Sequence, residues 1–111
     1  MPTYEVLDDI VKRANQSEKL REQLKGDSRV VQFDVDGGKF ALQIREDGSM
    51  RLERGSSESP TVTLTASGDV MDGILAGKMN GVQAFITGKL KLSGNIMAAQ
   101  KLVSALEKAR Q

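Results

Sequence analysis

From Val31 to Thr65, apolar residues occupy alternate positions in four successive runs, and this period of two constrains the fold most. Val31, Phe33 and Val35 alternate with Gln32 and Asp34; Phe40, Leu42 and Ile44 alternate with Ala41, Gln43 and Arg45. Met50 and Leu52 alternate with Arg51 and Glu53, and Val62 and Leu64 with Thr61, Thr63 and Thr65. Successive side chains on a strand point to opposite faces, so each run has one apolar and one polar face. Asp36-Gly37-Gly38-Lys39 and Asp47-Gly48 carry hairpin turn chemistry. Gly55 to Pro60 is a polar loop closed by proline. The runs predict an antiparallel meander whose apolar face must be covered by other elements.

The cover is written with a longer period. Leu7, Ile10, Val11, Ala14, Leu20 and Leu24 recur near every 3.6 residues, which predicts one amphipathic helix over residues 3 to 25. Thr3 suits its start, with Glu5, Asp8 and Asp9 near the positive end, and Gly26 its stop. Ser67 is a cap for a helix over residues 68 to 76, whose apolar side is Val70, Met71, Ile74 and Leu75. A short turn or helix follows over residues 81 to 85. Lys89 to Ser93 reads as a fifth strand with Leu90 and Leu92 inward. Residues 95 to 110 form a last helix with Ile96, Ala99, Leu102, Val103 and Leu106 on one face. The expected architecture is α+β: a five-stranded, mostly antiparallel sheet with helices on one face. With 111 residues and no linker or repeat, residues 1 to 111 are expected to form a single domain.

Composition removes several functions. There is no cysteine and no histidine. Disulfides, thiolate metal sites, the commonest general base and the commonest metal ligand go with them. A formal charge of +1, from 16 basic and 15 acidic residues, gives no field to gather nucleic acid. The amino-terminal residues lack the basic and apolar regions of a signal peptide, and no apolar run approaches the ~20 residues of a membrane span. The expectation is a soluble, cytoplasmic protein with no cofactor and no metal. Aromatics are 4% of the chain, while methionine is comparatively common, with Met50, Met71, Met79 and Met97 beyond the initiator. Methionine fills irregular space, which suits either an ordinary core or one that reshapes around a ligand.

The candidate polar clusters support no catalysis. Asp34 and Asp36 share a strand face, but acid–base work by a carboxylate pair needs one partner desolvated, and these flank a hairpin turn on the polar face and read as solvated. Ser56, Ser57 and Ser59 have no histidine to activate them and no nucleophile-elbow context. Gly73 to Lys78 has three residues between its glycines where a phosphate loop needs four, and Met79 follows the lysine. No catalytic residue is assigned.

One stretch has a more specific pattern. Ser67-Gly68-Asp69 is followed by Gly77-Lys78-Met79-Asn80, then by Phe85-Ile86-Thr87-Gly88-Lys89-Leu90-Lys91-Leu92-Ser93-Gly94-Asn95, then by Ala99-Gln100-Lys101-Leu102. This resembles the sterol carrier protein type 2 lipid-transfer family, whose members carry a Ser/Asp-entered helix, a GKL-N-P-like segment, AF-x-x-GKLKI-x-GD and A-x-KL. The preceding hairpins and the Thr61–Thr65 strand agree with the family's sheet, so the resemblance covers nearly the whole chain. Gly81 stands where proline is usual and Asn95 where aspartate is usual. The Lys108-Ala109-Arg110-Gln111 end does not match a peroxisomal address.

The resemblance implies an apolar tunnel between the sheet and the later helices, and a lipid or fatty-acyl chain as its occupant. Mapped by position, the implied walls are Phe33, Phe40, Leu42, Leu64, Met71, Ile74, Leu75, Met79, Phe85, Leu92, Ile96, Met97 and Val103. Those residues are core candidates in any reading. Burying about ten methylenes at ~0.8 kcal/mol each gives roughly 8 kcal/mol, near micromolar affinity before ordering costs. A methylene stripe carries no hydrogen-bond code, so broad chain specificity is expected. Lys78, Lys89 and Lys91 read as solvated charges, or alternatively as headgroup contacts during loading. Transient membrane contact and a monomer or weak dimer are compatible with this reading. The alternative is a ligand-free interaction or dimerisation module of a larger assembly.

Overall fold

A computed structural model describes residues 3 to 26 and 28 to 110; Met1, Pro2 and Gln111, which entered the reading of the chain's ends, lie outside them. The strands are β1 (Arg29–Val35), β2 (Gly38–Ile44), β3 (Met50–Arg54), β4 (Val62–Ala66) and β5 (Lys91–Gly94). The helices are α1 (Thr3–Gln16), α2 (Glu18–Leu24), α3 (Gly68–Leu75), α4 (Gly81–Ile86) and α5 (Ile96–Arg110).

The alternating runs become a five-stranded sheet in the order β3-β2-β1-β4-β5. β1 and β2 form the predicted hairpin, with Phe33 opposite Phe40 and Val31 opposite Leu42. Their rings stack at 5.2 Å between centroids, and Tyr4 of α1 meets Phe40 edge-on at 5.5 Å. β2 and β3 pair antiparallel with Leu42 opposite Leu52. At the turn between them Asp47 accepts hydrogen bonds from the Ser49 hydroxyl and N–H at 2.6 and 2.9 Å, which hold its carboxyl below the usual carboxylate range.

The meander stops at β3. β4 does not lie beside it but pairs parallel with β1, Phe33 opposite Leu64, and antiparallel with β5, Leu64 opposite Leu92. Alternation fixes which face of a run is buried and is silent on which run lies next to which. The loop between β3 and β4 makes the crossing. Gly55 donates to Lys39 of β2 at 2.9 Å and Thr61 to Val30 of β1 at 2.7 Å. Gln32, expected on the solvated face, is only 6% exposed because it pins this loop. Its Nε2 donates to the Phe40 carbonyl at 3.2 Å, and its Oε1 accepts from the Ser57 N–H at 2.7 Å.

The first helical stretch is two helices rather than one. In a continuous helix Leu20 would lie about 120° around the axis from the Leu7–Ala14 stripe. Ser17 breaks the run: its backbone is extended and its hydroxyl accepts from the Leu20 N–H at 3.2 Å, capping α2. Leu20 and Leu24 are thereby turned into the core with Leu7, Ile10, Val11 and Ala14. Thr3 is not a cap but the first residue of α1, buried and donating to Asp72 of α3 at 2.5 Å. α1, α3 and α5 cover the apolar face of the sheet, α5 reaching β4 and β5. Ala14 on α1 and Ala98 and Ala105 on α5 are buried, and residues this small let packed helices approach closely.

Candidate functional site: an apolar cleft between α4 and α5

The segment from Asn80 to Glu107 builds a cleft beside the sheet. Asn80 caps α4 through its Oδ1, which accepts from the Gln83 N–H at 3.0 Å, and Asn95 caps α5 in the same way, accepting from Ala98 at 3.1 Å. Gly88, at φ +79, ends α4 and reverses the chain, so that Lys89 and Leu90 both donate to the Ala84 carbonyl and Leu90 drops into the core. The two helices are held apart by this geometry, and a cleft of about 400 Å³ opens between them. Its floor is Leu64 of β4, Leu90 and Leu92. One wall is Asn80, Gly81, Val82 and Phe85; the other is Ile96, Ala99, Gln100, Val103, Ser104 and Glu107 of α5. Ligand sites typically run from roughly 300 to 1,000 Å³.

Behind the cleft lies a small apolar void of about 10 Å³, lined by Phe33, Leu64, Met71, Ile74, Leu75, Leu90, Val103, Leu106 and Glu107. Leu64, Leu90, Val103 and Glu107 line both spaces. The space between sheet and helices is thus an open cleft with a nearly filled interior.

Of the residues the sequence pointed to, Leu64, Phe85, Leu92, Ile96 and Val103 line the cleft, and Phe33, Met71, Ile74 and Leu75 stand with Leu64 and Val103 around the void. Phe40 and Leu42 are buried in the sheet core outside both spaces. Met79 is half-buried and packs near Gly73. Met97 is 76% exposed and does not line the cleft. The polar lining residues Gln100, Ser104 and Glu107 did not emerge from the sequence, because the search followed apolar periodicity. They share a face with Ile96 and Val103, and plotting α5 on a helical wheel would have placed them there.

The mouth has an unusual surface. Val82 (55%), Phe85 (39%) and Ile96 (41%) are exposed at its edge, and Ile86 (72%) and Met97 (76%) flank it. Clustered apolar exposure of this kind marks a binding surface more often than chance packing does. A second groove, of about 390 Å³, runs by Tyr4, Asp36, Lys39, Arg54, Asp69 and Asp72. It is a charged surface trough, with Arg54 stacked 3.9 Å over the Tyr4 ring. Among the described residues no group of three acidic side chains is placed to hold a metal ion, and no helix is long and apolar enough to cross a membrane.

The chain thus combines a sheet covered by helices on one face with a largely apolar cleft between α4 and α5. The chain belongs to the SCP-2 sterol transfer family, whose model matches residues 7–107. It is 27% identical over 113 residues to the fatty acid-binding protein of Yarrowia lipolytica, an alignment covering 96% of this chain and 88% of that protein. It is 35% identical over 68 residues to peroxisomal multifunctional enzyme A of Dictyostelium discoideum, covering 61% of this chain but only 15% of that enzyme. The solution structure of palmitated SCP2L2 from Aedes aegypti superposes with a TM-score of 0.76 at 20% identity, over 96% of this chain and 95% of that one, and shows the same fold.

Proposed function

We propose that this protein is a non-catalytic carrier that holds the hydrocarbon chain of one lipid in the α4–α5 cleft and passes it between donor and acceptor. The observation that carries the reading is the cleft itself: an apolar floor of Leu64, Leu90 and Leu92 open to solvent, with apolar side chains exposed at its mouth. Family membership and the fatty acid-binding name of the Yarrowia relative support it. The absence of histidine and cysteine supports carriage over catalysis. Entry runs between α4 and α5, with the alkyl chain lying over Leu92 and Ile96 and against Phe85. The void by Met71 and Ile74 enlarges when a chain pushes past Val103. Ile86 and Met97 touch the bilayer during loading, and the cytoplasm is the compartment this reading favours.

Organic extraction of the purified protein with mass spectrometry, followed by titration with a fluorescent alkyl probe, tests the proposal. A stoichiometric lipid or saturable binding is expected. No extracted lipid and no saturation would overturn it. The exposed Ile86 and Met97 favour one competing reading, a ligand-free dimerisation module. A stable dimer by light scattering, without ligand, would establish that instead.

A further inference from the structure

The small net charge of the chain hides an uneven distribution. From Gly73 to Leu106 the sequence carries Lys78, Lys89, Lys91 and Lys101 and no arginine, aspartate or glutamate. Of 16 basic and 15 acidic residues, that leaves 12 and 15 elsewhere, a formal charge of −3. All four of these lysines are exposed, and among the described residues none of their side chains makes an ion pair or hydrogen bond. The exposed large hydrophobics of the described residues fall in the same segment: Val82, Phe85, Ile86, Ile96 and Met97. Lys101 follows Met97 by one turn on the same side of α5. Lys89 follows Ile86 across the turn at Gly88. Glu107, the acid of α5, is about 15 Å along the helix from Met97 at ~1.5 Å per residue.

Exposed apolar side chains beside unpaired cations suit the surface of an anionic bilayer. The apolar groups enter the head-group layer, and the ammonium groups meet its negative charge while their alkyl stems cover apolar surface. An acidic protein would satisfy the lysines equally, but the cleft opens within this patch: Val82, Phe85 and Ile96 line it. Docking there sets the mouth of the cleft against lipid. Helix α1, though amphipathic, offers no such surface. Its apolar side of Leu7, Ile10, Val11 and Ala14 is buried, and its cations Lys12 and Arg13 are paired with Asp8 and Asp9 at 3.1 and 3.0 Å. We propose that the face formed by α4, β5 and the start of α5 docks on anionic bilayers, with Ile86 and Met97 entering the head-group layer and Lys89 and Lys101 selecting its charge. The inference rests on the bilayer contact of the carrier reading and names the lipid class and the cations that recognise it.

The test is co-sedimentation with phosphatidylcholine vesicles and with vesicles in which about one-third of the lipid is phosphatidylserine. The unaltered protein should partition onto the anionic vesicles about tenfold or more better at low salt, and lose most of that advantage in ~1 M salt, where the Debye length is ~3 Å. Lys89→Glu with Lys101→Glu should lower partitioning onto the anionic vesicles about tenfold or more. Lys19→Glu with Lys39→Glu, the same change of net charge at exposed sites elsewhere, should lower it by no more than about threefold. Both variant pairs should keep their affinity for a soluble alkyl probe, since none of these lysines lines the cleft. The salt dependence needs no variant, so the test stays decisive should either pair fold poorly. Equal partitioning onto the two kinds of vesicle, or equal losses in the two variant pairs, would overturn the docking proposal alone. A stable dimer by light scattering that fails to bind vesicles would assign the patch to a second copy and overturn it as well. Failure of the unaltered protein to bind the alkyl probe would overturn the carrier reading on which the docking rests.

Discussion

The carboxylate of Asp36 accepts a hydrogen bond from the backbone N–H of Gly68 at 2.7 Å, tying the β1–β2 turn to the start of α3. Asp36 is also the one non-glycine residue with positive φ, at 51°, among the described residues. Asp and Asn tolerate that conformation better than other side chains. Asp36→Ala removes the acceptor and leaves a methyl side chain in left-handed backbone. It should cost about 1 kcal/mol in urea denaturation. Asp36→Asn keeps both properties and should stay within ~0.5 kcal/mol of the parent.

Gly48 is the turn residue where substitution should be least tolerated. Its φ is +85, and a Cβ there would lie 1.9 Å from the Arg21 carbonyl oxygen of α2. Both the backbone angle and the clash oppose any side chain, and the blocking atom is backbone that cannot rotate away. Gly48→Ala should destabilise by about 3 kcal/mol or more, read from thermal or urea unfolding.

The cleft and the void should respond in opposite ways to added bulk. Gln100 is exposed and lines the cleft. Gln100→Trp should weaken alkyl-probe binding about tenfold or more while stability changes by no more than ~0.5 kcal/mol. Met71 is 2% exposed against a void of about 10 Å³. Met71→Trp should overpack and cost about 1–3 kcal/mol. Equal stability losses in the two variants would show that the cleft is packed core.

Ile86 and Met97 flank the mouth without lining the cleft. If they touch the membrane during loading, Ile86→Ser with Met97→Ser should slow lipid transfer between vesicles several-fold. The equilibrium affinity for a soluble alkyl probe should stay within about twofold. An unchanged transfer rate would remove the membrane-contact step from the proposed mechanism.

Period and turn chemistry were legible without coordinates wherever burial acts on one residue at a time. Val31, Phe33 and Val35 face the core because a strand alternates, and Ser67 starts α3 because its hydroxyl satisfies the Val70 N–H at 3.2 Å. The denial of histidine and cysteine chemistry was equally local. What needed the tertiary structure was every question of which element meets which. The parallel pairing of β4 with β1, the break at Ser17 and the burial of Gln32 depend on partners distant in sequence, and no local period encodes them. The same holds for the cleft. An apolar residue on α5 reads alike whether it is sealed, as Leu102 is, or exposed at a mouth, as Ile96 is. Only the separation of α4 from α5 above the sheet decided that, and with it placed Gln100, Ser104 and Glu107 along the α5 wall of the cleft.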